Sequence, residues 1–562
     1  MKDLSEEKQK LIKDLVKNKK FHQLEFEVNS LLLEQRSSFL LNLLGVCKIS
    51  KIPTSKKDLN ESLDLFKEAY LKDKTLTDAL FNYSEIATRL FKYGEAKDLL
   101  TEYLDIVKYN YKANLALAKI HFYLGNMDEC LKNYKKIIDN NEANSKMWAA
   151  FLFTTNYTYK YNQKEYLNFC NKFSDQLKKF DGKDLKSFKY EKNPKKLRVG
   201  FFSADLRTHS VAKFIEETLK ILKQNNFEII AFSNNKLGAD DLTTERLKGI
   251  FDEWYDIIKL SDLEAINLIR DKKINILFDL TGFSTGNRCE IFKNKSAPLQ
   301  ISWCGYCNSS GIKEIDYLIA DQNLIKKEEE FNYSEEIIRL PKIWNSHFLI
   351  SSKIEINELP ALKNKFITFG SFNNYGKLSN ETIEIWSKIL KNNNSKLILK
   401  TSVHDHQLLR DNIMSKFKKN GIENHKIIFM ERLKSNDDHL KLYNKIDISL
   451  DTFPFGGATT TIESLWMGVP TITLSGEIFN SKFGVSINKN LNLNNFIAKN
   501  KIDYIEKAKV ICSDLNKLSH IRKSLRNLII DSALFDSKNL GLNLSKILKE
   551  KWNLFSKQNK NS

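Results

Sequence analysis

The sequence predicts an α plus α/β chain: a helical solenoid at the N-terminal end, then two doubly wound α/β domains in series. Three observations carry this. From Met1 to about Lys189 apolar residues recur three and four apart with almost no glycine or proline, the mark of helices buried along one face. After Tyr190 the chain changes to short β-branched runs separated by helical segments, the alternation that builds parallel sheets. Near the far end, Ile446 to Glu477 (IDISLDTFPFGGATTTIESLWMGVPTITLSGE) sets a strand, a glycine loop and a helix in succession.

Taken in order, the helical stretch repeats. Glu61-Ser62, Glu95-Ala96 and Glu129-Cys130 stand 34 residues apart, and Phe66, Leu100 and Tyr134 keep that register, as do Ala69, Tyr103 and Ile137. This helix-turn-helix period resembles the tetratricopeptide repeat, with Gly94 and Gly125 near the turns. Carried backwards the register reaches Glu27-Val28, so about four repeats form a short solenoid over residues 1–189. An irregular helical bundle is the other reading.

A polar break, YEKNPKK, precedes the first α/β domain at residues 190–345. Its predicted strands are Leu197–Ser203, Phe227–Ser233, Ile274–Leu280 and Tyr317–Ala320. The second domain, residues 346–556, has predicted strands at Phe366–Gly370, Lys396–Thr401, Lys426–Met430, Ile446–Asp451 and Thr471–Leu474, then terminal helices. A mobile tail is expected at 557–562.

Composition narrows the function. Lys plus Arg is 89 against 70 Asp plus Glu, a formal charge of +19, but the lysines are spread along the chain. That is a solvated surface with some pull on phosphorylated ligands, and no motif points to nucleic acid. Seven scattered cysteines do not make a disulfide framework and suit a reducing cytoplasm. MKDLSEEKQK lacks the apolar core of a signal peptide, and no window approaches a membrane span. A soluble cytoplasmic protein is expected.

The chemistry is expected at loops beyond the carboxyl ends of the strands. Gly456 and Gly457 free the backbone after the strand at Ile446, and Thr460 with Glu463 has capping-box spacing for the helix that follows. Such a helix start, with unpaired N–H groups and the positive dipole end together, suits an anion such as a diphosphate, although a plain crossover has the same pattern. Lys377, before a helix, can reach that anion; at about 4 Å and an effective dielectric near 20 one such contact amounts to about 4 kcal/mol before desolvation. His209, in the loop with Asp205 and Arg207, is a candidate base or a loop-bonding residue. Helical His439 is a candidate nucleotide contact or a plain structural residue. Trp303-Cys304-Gly305-Tyr306-Cys307 is set aside as a redox or zinc motif, because Asn308 to Gly311 read as a loop and no second C-x-x-C completes a metal site. No acidic motif suggests a divalent ion, so a metal-independent reaction without a cofactor is expected.

Seven ordered blocks carry a broader resemblance: RVGFFSADLRTHSVAKFIE, DLTGFSTGNRCEIF, APLQISWCGY followed by NSSG, IDYLIAD, FITFGSFNNYGKLS, DISLDTFPFGGATTTIESLWMGVP and GVS. From Leu197 to about Trp552 the chain resembles the catalytic region of the O-GlcNAc transferase and SPINDLY family, in which tetratricopeptide repeats precede a glycosyltransferase of the GT-B kind with two Rossmann-like domains. The resemblance implies an inverting transfer of a sugar from a nucleotide diphosphate donor to a serine or threonine hydroxyl of a protein held by the repeats. UDP-GlcNAc is the leading donor and GDP-fucose the alternative. It implies that His209 lies close to the reacting hydroxyl, that Asp205 helps remove its proton unless a donor phosphate oxygen does so, and that Lys377 stabilises the departing diphosphate. Asn374 then contacts the donor, His439 the nucleotide, Thr459 and Thr460 the diphosphate and Glu463 the ribose, with Arg288 and Gly305 near the active site. Ala458 and Asn436 depart from the O-GlcNAc branch, which has histidine and lysine there; THSV and Glu463 look closer to the SPINDLY branch. An inactive repeat scaffold and a non-protein acceptor are the remaining alternatives.

Overall fold

A computed structural model describes residues 4–187, 190–347, 350, 354–392, 394–400, 407–431, 433 and 435–558. The chain divides into two compact units, Met1–Ala143 and Asn144–Ser562.

In the first unit the helices come in four pairs: Glu6–Lys17 with Phe21–Glu34, Ser38–Ile49 with Lys56–Lys72, Thr77–Arg89 with Tyr93–Val107, and Tyr111–Tyr123 with Met127–Asp139. The repeated register is the seam between them. Ser62, Ala96 and Cys130 are buried, as are Phe66, Leu100 and Tyr134 and then Ala69, Tyr103 and Ile137. Val28, at the extrapolated first repeat, is buried too. The closest approach in the second pair needs a glycine: a Cβ on Gly45 would stand 2.6 Å from the Phe66 ring.

The second unit opens with two more helices, Ser145–Thr155 and Gln163–Gln176. Sequence spacing counts them with the repeats, but they fold with the α/β part. Phe173 meets Phe283 edge-on at 5.4 Å, the Tyr166 and Tyr306 hydroxyls are 2.7 Å apart, and Lys293 Nζ donates to Ser174 Oγ at 3.0 Å. Periodicity shows that a helix has an apolar face, not what covers it.

Seven parallel strands make the first sheet: β1 (Leu197–Ser203), β2 (Phe227–Ser233), β3 (Glu253–Asp256), β4 (Ile276–Asp279), β5 (Leu299–Ser302), β6 (Tyr317–Asp321) and β7 (Glu336–Leu340), in the order β3-β2-β1-β4-β5-β6-β7. Val199 pairs with Ile229 on one side and Ile276 on the other. The second sheet has six: β8 (Ile367–Ser371), β9 (Ser395–Lys400), β10 (Ile427–Met430), β11 (Ile448–Leu450), β12 (Thr471–Leu474) and β13 (Ile497–Ala498), ordered β10-β9-β8-β11-β12-β13. Strand order reverses between β1 and β4 and again between β8 and β11, and loops at such reversals form ligand crevices. The strands β3, β5, β7 and β13 are additions to the predicted set; each is five residues or fewer, and β3 is half exposed.

The terminal helices are Lys501–Ser513, Leu515–Ile530 and Ser537–Gln558. The last returns to the first sheet's side, against the expected assignment of all of them to the second domain. A Cβ on its Gly541 would come within 2.6 Å of Ile221, and Trp552 Nε1 donates to the Lys192 carbonyl at 3.2 Å. Of the expected tail, Lys557 and Gln558 belong to this helix, and residues 559–562 lie outside the described residues. Among the described residues no helix is long and apolar enough to cross a membrane.

Candidate active site

The loop after β11 is built around Asp451. Buried, it accepts from the Gly457 amide at 2.7 Å, the Thr452 amide at 2.9 Å, Thr473 Oγ1 at 2.9 Å and Asn373 Nδ2 at 3.1 Å. Burial pushes its pKa up to about 6, although these bonds and nearby Lys377 pull it down. Gly457 must be glycine, because a Cβ there would sit 2.4 Å from Thr460 Oγ1.

The helix after the loop, Thr459–Trp466, starts without the expected capping box. Ala458 is its N-cap and offers no side-chain acceptor; Thr460 Oγ1 donates to Asn373 Oδ1 at 2.6 Å, and Glu463 turns to other partners. The amides of Thr459, Thr460 and Thr461 have no acceptor among the described residues. Box spacing was met, but tertiary partners took both side chains and left the helix start open to an anion.

Lys377 closes a single helical turn, Tyr375–Lys377, after β8. Its Nζ donates to the Gly456 carbonyl at 2.8 Å and lies 3.9 Å over the Phe455 ring. Burial lowers its pKa to about 8, opposed by Asp451 and Cys307. Exposed Asn374 caps this turn through the Gly376 amide at 2.9 Å. Its neighbour Asn373 is the residue woven into the threonine loop, a role that the FNNYGK sequence left undivided between the two.

On the first sheet, His209 caps the helix Ser210–Gln224: its Nδ1 accepts from the Val211 amide at 3.4 Å and lies 3.7 Å from Asp205 Oδ2. Asp205 also takes Arg207 Nη2 at 2.9 Å. Burial lowers the His209 pKa, against Asp205, so the ring is neutral at pH 7. With Nδ1 accepting, the proton of the neutral ring sits on Nε2.

Two contacts join this helix to the threonine helix. Thr459 Oγ1 donates to Ser210 Oγ at 3.0 Å, and Lys213 Nζ donates to Glu463 Oε1 at 3.1 Å. Glu463 Oε2 lies 3.1 Å from His439 Nε2, and His439 Nδ1 lies 2.5 Å from Lys400 Nζ. Burial raises the Glu463 pKa, but the His439 bond and Lys213 outweigh it and hold the group at about 2.

The structure thus links Asp205, His209, Lys377, His439, Thr459, Thr460 and Glu463 through contacts between the starts of the two helices and the loops beside them. Arg288 is committed elsewhere, to Asp262 at 2.6 Å and the Ile257 carbonyl at 3.0 Å. Gly305 allows a close approach, since a Cβ there would fall 1.6 Å from the Leu280 carbonyl. Cys304 and Cys307 are free thiols whose pKa values burial pushes up.

The family model "Glycosyl transferase family 41" matches residues 176–352 and 346–544, about two thirds of the chain. The chain belongs to glycosyl transferase family 41. This family 41 chain is 34% identical over 360 residues to a tomato (Solanum lycopersicum) protein named probable UDP-N-acetylglucosamine–peptide N-acetylglucosaminyltransferase SPINDLY, a match covering 63% of this chain and 39% of the relative. An Arabidopsis thaliana relative of the same description, SEC, is 28% identical over 374 residues, 64% of this chain and 37% of that one. The chain therefore matches about two fifths of these curated relatives. Among solved structures, a mutant of the O-GlcNAc transferase of Thermobaculum terrenum superposes with a TM-score of 0.77 at 23% identity, covering 89% of this chain and 95% of that one. The family 41 fold, helical repeats followed by two Rossmann-like domains of the GT-B arrangement, is shared along nearly the whole length.

Proposed function

We propose that this family 41 chain is an inverting protein O-glycosyltransferase that moves a sugar, GlcNAc from UDP-GlcNAc in the leading reading, to a serine or threonine hydroxyl without a metal ion. One observation carries the proposal: Thr459 bonds to Ser210 at 3.0 Å, which sets the open helix start and Lys377's loop beside His209 and Asp205. The positive charge a departing diphosphate needs is at hand in Lys377 and the free amides of Thr459 to Thr461.

In the proposed step the acceptor oxygen attacks the anomeric carbon as the bond from that carbon to the diphosphate oxygen breaks. The diphosphate leaves with the electron pair toward Lys377. His209, with its proton on Nε2, orients the hydroxyl; the hydroxyl proton passes to Asp205 or to a donor phosphate oxygen. Exposed Asn374, and His439 with Glu463, contact the donor. The polypeptide acceptor follows the names of the tomato and Arabidopsis relatives, and the helical repeats are the segment suited to hold an extended chain. Seven free thiols support a cytoplasmic setting.

GDP-fucose is the second reading, favoured by Glu463, which looks closer to the SPINDLY branch, and by Ala458, which departs from the O-GlcNAc branch. Calorimetric titration with UDP and, separately, GDP in the absence of metal tests both. Binding of UDP alone supports the first and of GDP alone the second; binding of neither at millimolar concentration turns the reading to an inactive scaffold.

A further inference from the structure

The turn that ends the helix Ser145–Thr155 reaches both groups that hold Lys377, Phe455 directly and Gly456 through Asn480. Asn156, buried, accepts at Oδ1 from Asn480 Nδ2 at 2.7 Å and from Asn308 Nδ2 at 2.9 Å, and its own Nδ2 donates to the Tyr306 hydroxyl at 2.8 Å. The Asn480 carbonyl in turn accepts the Gly456 amide at 3.1 Å, and Gly456 supplies the carbonyl that takes Lys377 Nζ at 2.8 Å. The next residue, Tyr157, packs edge-on against Phe455 at 5.0 Å, and Phe455 is the ring under the same ammonium. Two consecutive residues from a helical segment outside both sheets thus brace the two contacts of one lysine.

We propose that Asn156 and Tyr157 are positioning residues for Lys377, so that the helical segment Ser145–Gln176 sets the placement of the leaving-group lysine. A fully bonded buried amide has one arrangement, and its loss takes the acceptor from the Asn480 side chain while Asn308 keeps its bonds to Gln163, so the effect passes through Asn480 to the Gly456 loop. No sequence motif marks either residue. The inference rests on the reading of Lys377 as the group that receives the departing diphosphate.

The test uses the full chain and the variants N156A and Y157L. Pulse acylation of Lys377 by acetic anhydride, followed across pH by mass spectrometry, reads the titration midpoint of the amine without any need for turnover. The groups facing that amine are Asp451 and Cys307. Loosening the brace admits water to a lysine whose midpoint is set mainly by burial, so the midpoint is expected to rise from about 8 by about half a unit or more. For transfer, kcat is expected to fall about tenfold with the donor KM changed less than about threefold, the pattern of a misplaced reacting group. Y157L, which removes no hydrogen bond to Asn480, keeps the test alive if N156A fails to fold. An unchanged midpoint in the folded variants overturns the inference. A wild-type chain that transfers no sugar from any nucleotide donor overturns the transferase reading instead, while the midpoints still decide the positioning.

Discussion

The two sheets solve the same problem in different ways at their switch points. Each places a buried aspartate at the end of a central strand, Asp279 as the last residue of β4 and Asp451 just after β11, and burial pushes both pKa values up to about 6. Asp279 acts locally: its Oδ1 takes the amides of Thr281 and Gly282, both at 2.9 Å, and so folds its own loop. Asp451 reaches across the sheet to Asn373 after β8 and Thr473 of β12, and its charge acts on Lys377. The difference separates a half that leaves its loop residues accessible from a half that fixes them. In the proposed reaction His209, with a side chain 41% exposed, meets a variable acceptor, and the braced threonine loop and Lys377 meet an invariant diphosphate.

The largest expected effect is K377M. Transfer falls by about two to three decades or more with an unchanged circular dichroism spectrum, as for removal of a group aimed at developing charge. Turnover at the wild-type rate would remove Lys377 from the mechanism and with it the functional asymmetry of the two halves.

Glu463 comes next. Its folded pKa of about 2 lies below the unfolded value, so its contribution, about 3 kcal/mol, is present above about pH 4.5 and lost as pH falls toward 2. Urea unfolding of E463Q is expected to show that loss at pH 7, and a difference from wild type that shrinks at pH 3. The two aspartates run the opposite way: their folded values lie above the unfolded one, so stability is present at low pH and declines as pH rises from about 4 through 6.

D451N and D279N sharpen the comparison directly. In D451N the carboxylate that favours the charged lysine is gone, so Lys377 titrates below 8 and kcat near pH 7.5 falls about tenfold, with the alkaline limb of the pH profile moved down. D279N is the smallest effect. An amide oxygen in the Oδ1 place keeps both loop bonds and no charge is buried, so stability at pH 7 holds or rises and the pH profile of kcat stays put. Equal effects of the two substitutions on that profile would erase the distinction.

Much of this site was legible before folding. The positions of Asp205, His209 and Lys377 in loops and of Thr459 and Thr460 at a helix start follow from strand–loop–helix patterning, because parallel sheets put such loops at one edge. The strands that patterning left out were short ones, where two to five residues carry little periodicity. Asn373 and Asn374 show the same limit at a finer scale: both sit in a polar turn, and only the fold makes one a brace and the other a cap. The capping box failed for a related reason. Local spacing licensed a bond between Thr460 and Glu463, but Asn373, His439 and Lys213 arrive from distant segments and offer stronger partners.

By itself the sequence determined the architecture, the 34-residue helical register, the order of the strands' loops and the membership in the O-GlcNAc transferase and SPINDLY kind of chain. These depend on local periodicity and on residues a few positions apart. Only the tertiary structure decided where the helical region divides, which sheet the last helix covers, and that Asn156, Tyr157 and Lys213 contact Asn480, Phe455 and Glu463. Those are pairings between residues more than a hundred positions apart, and nothing in a one-dimensional pattern reports which surface will bury which.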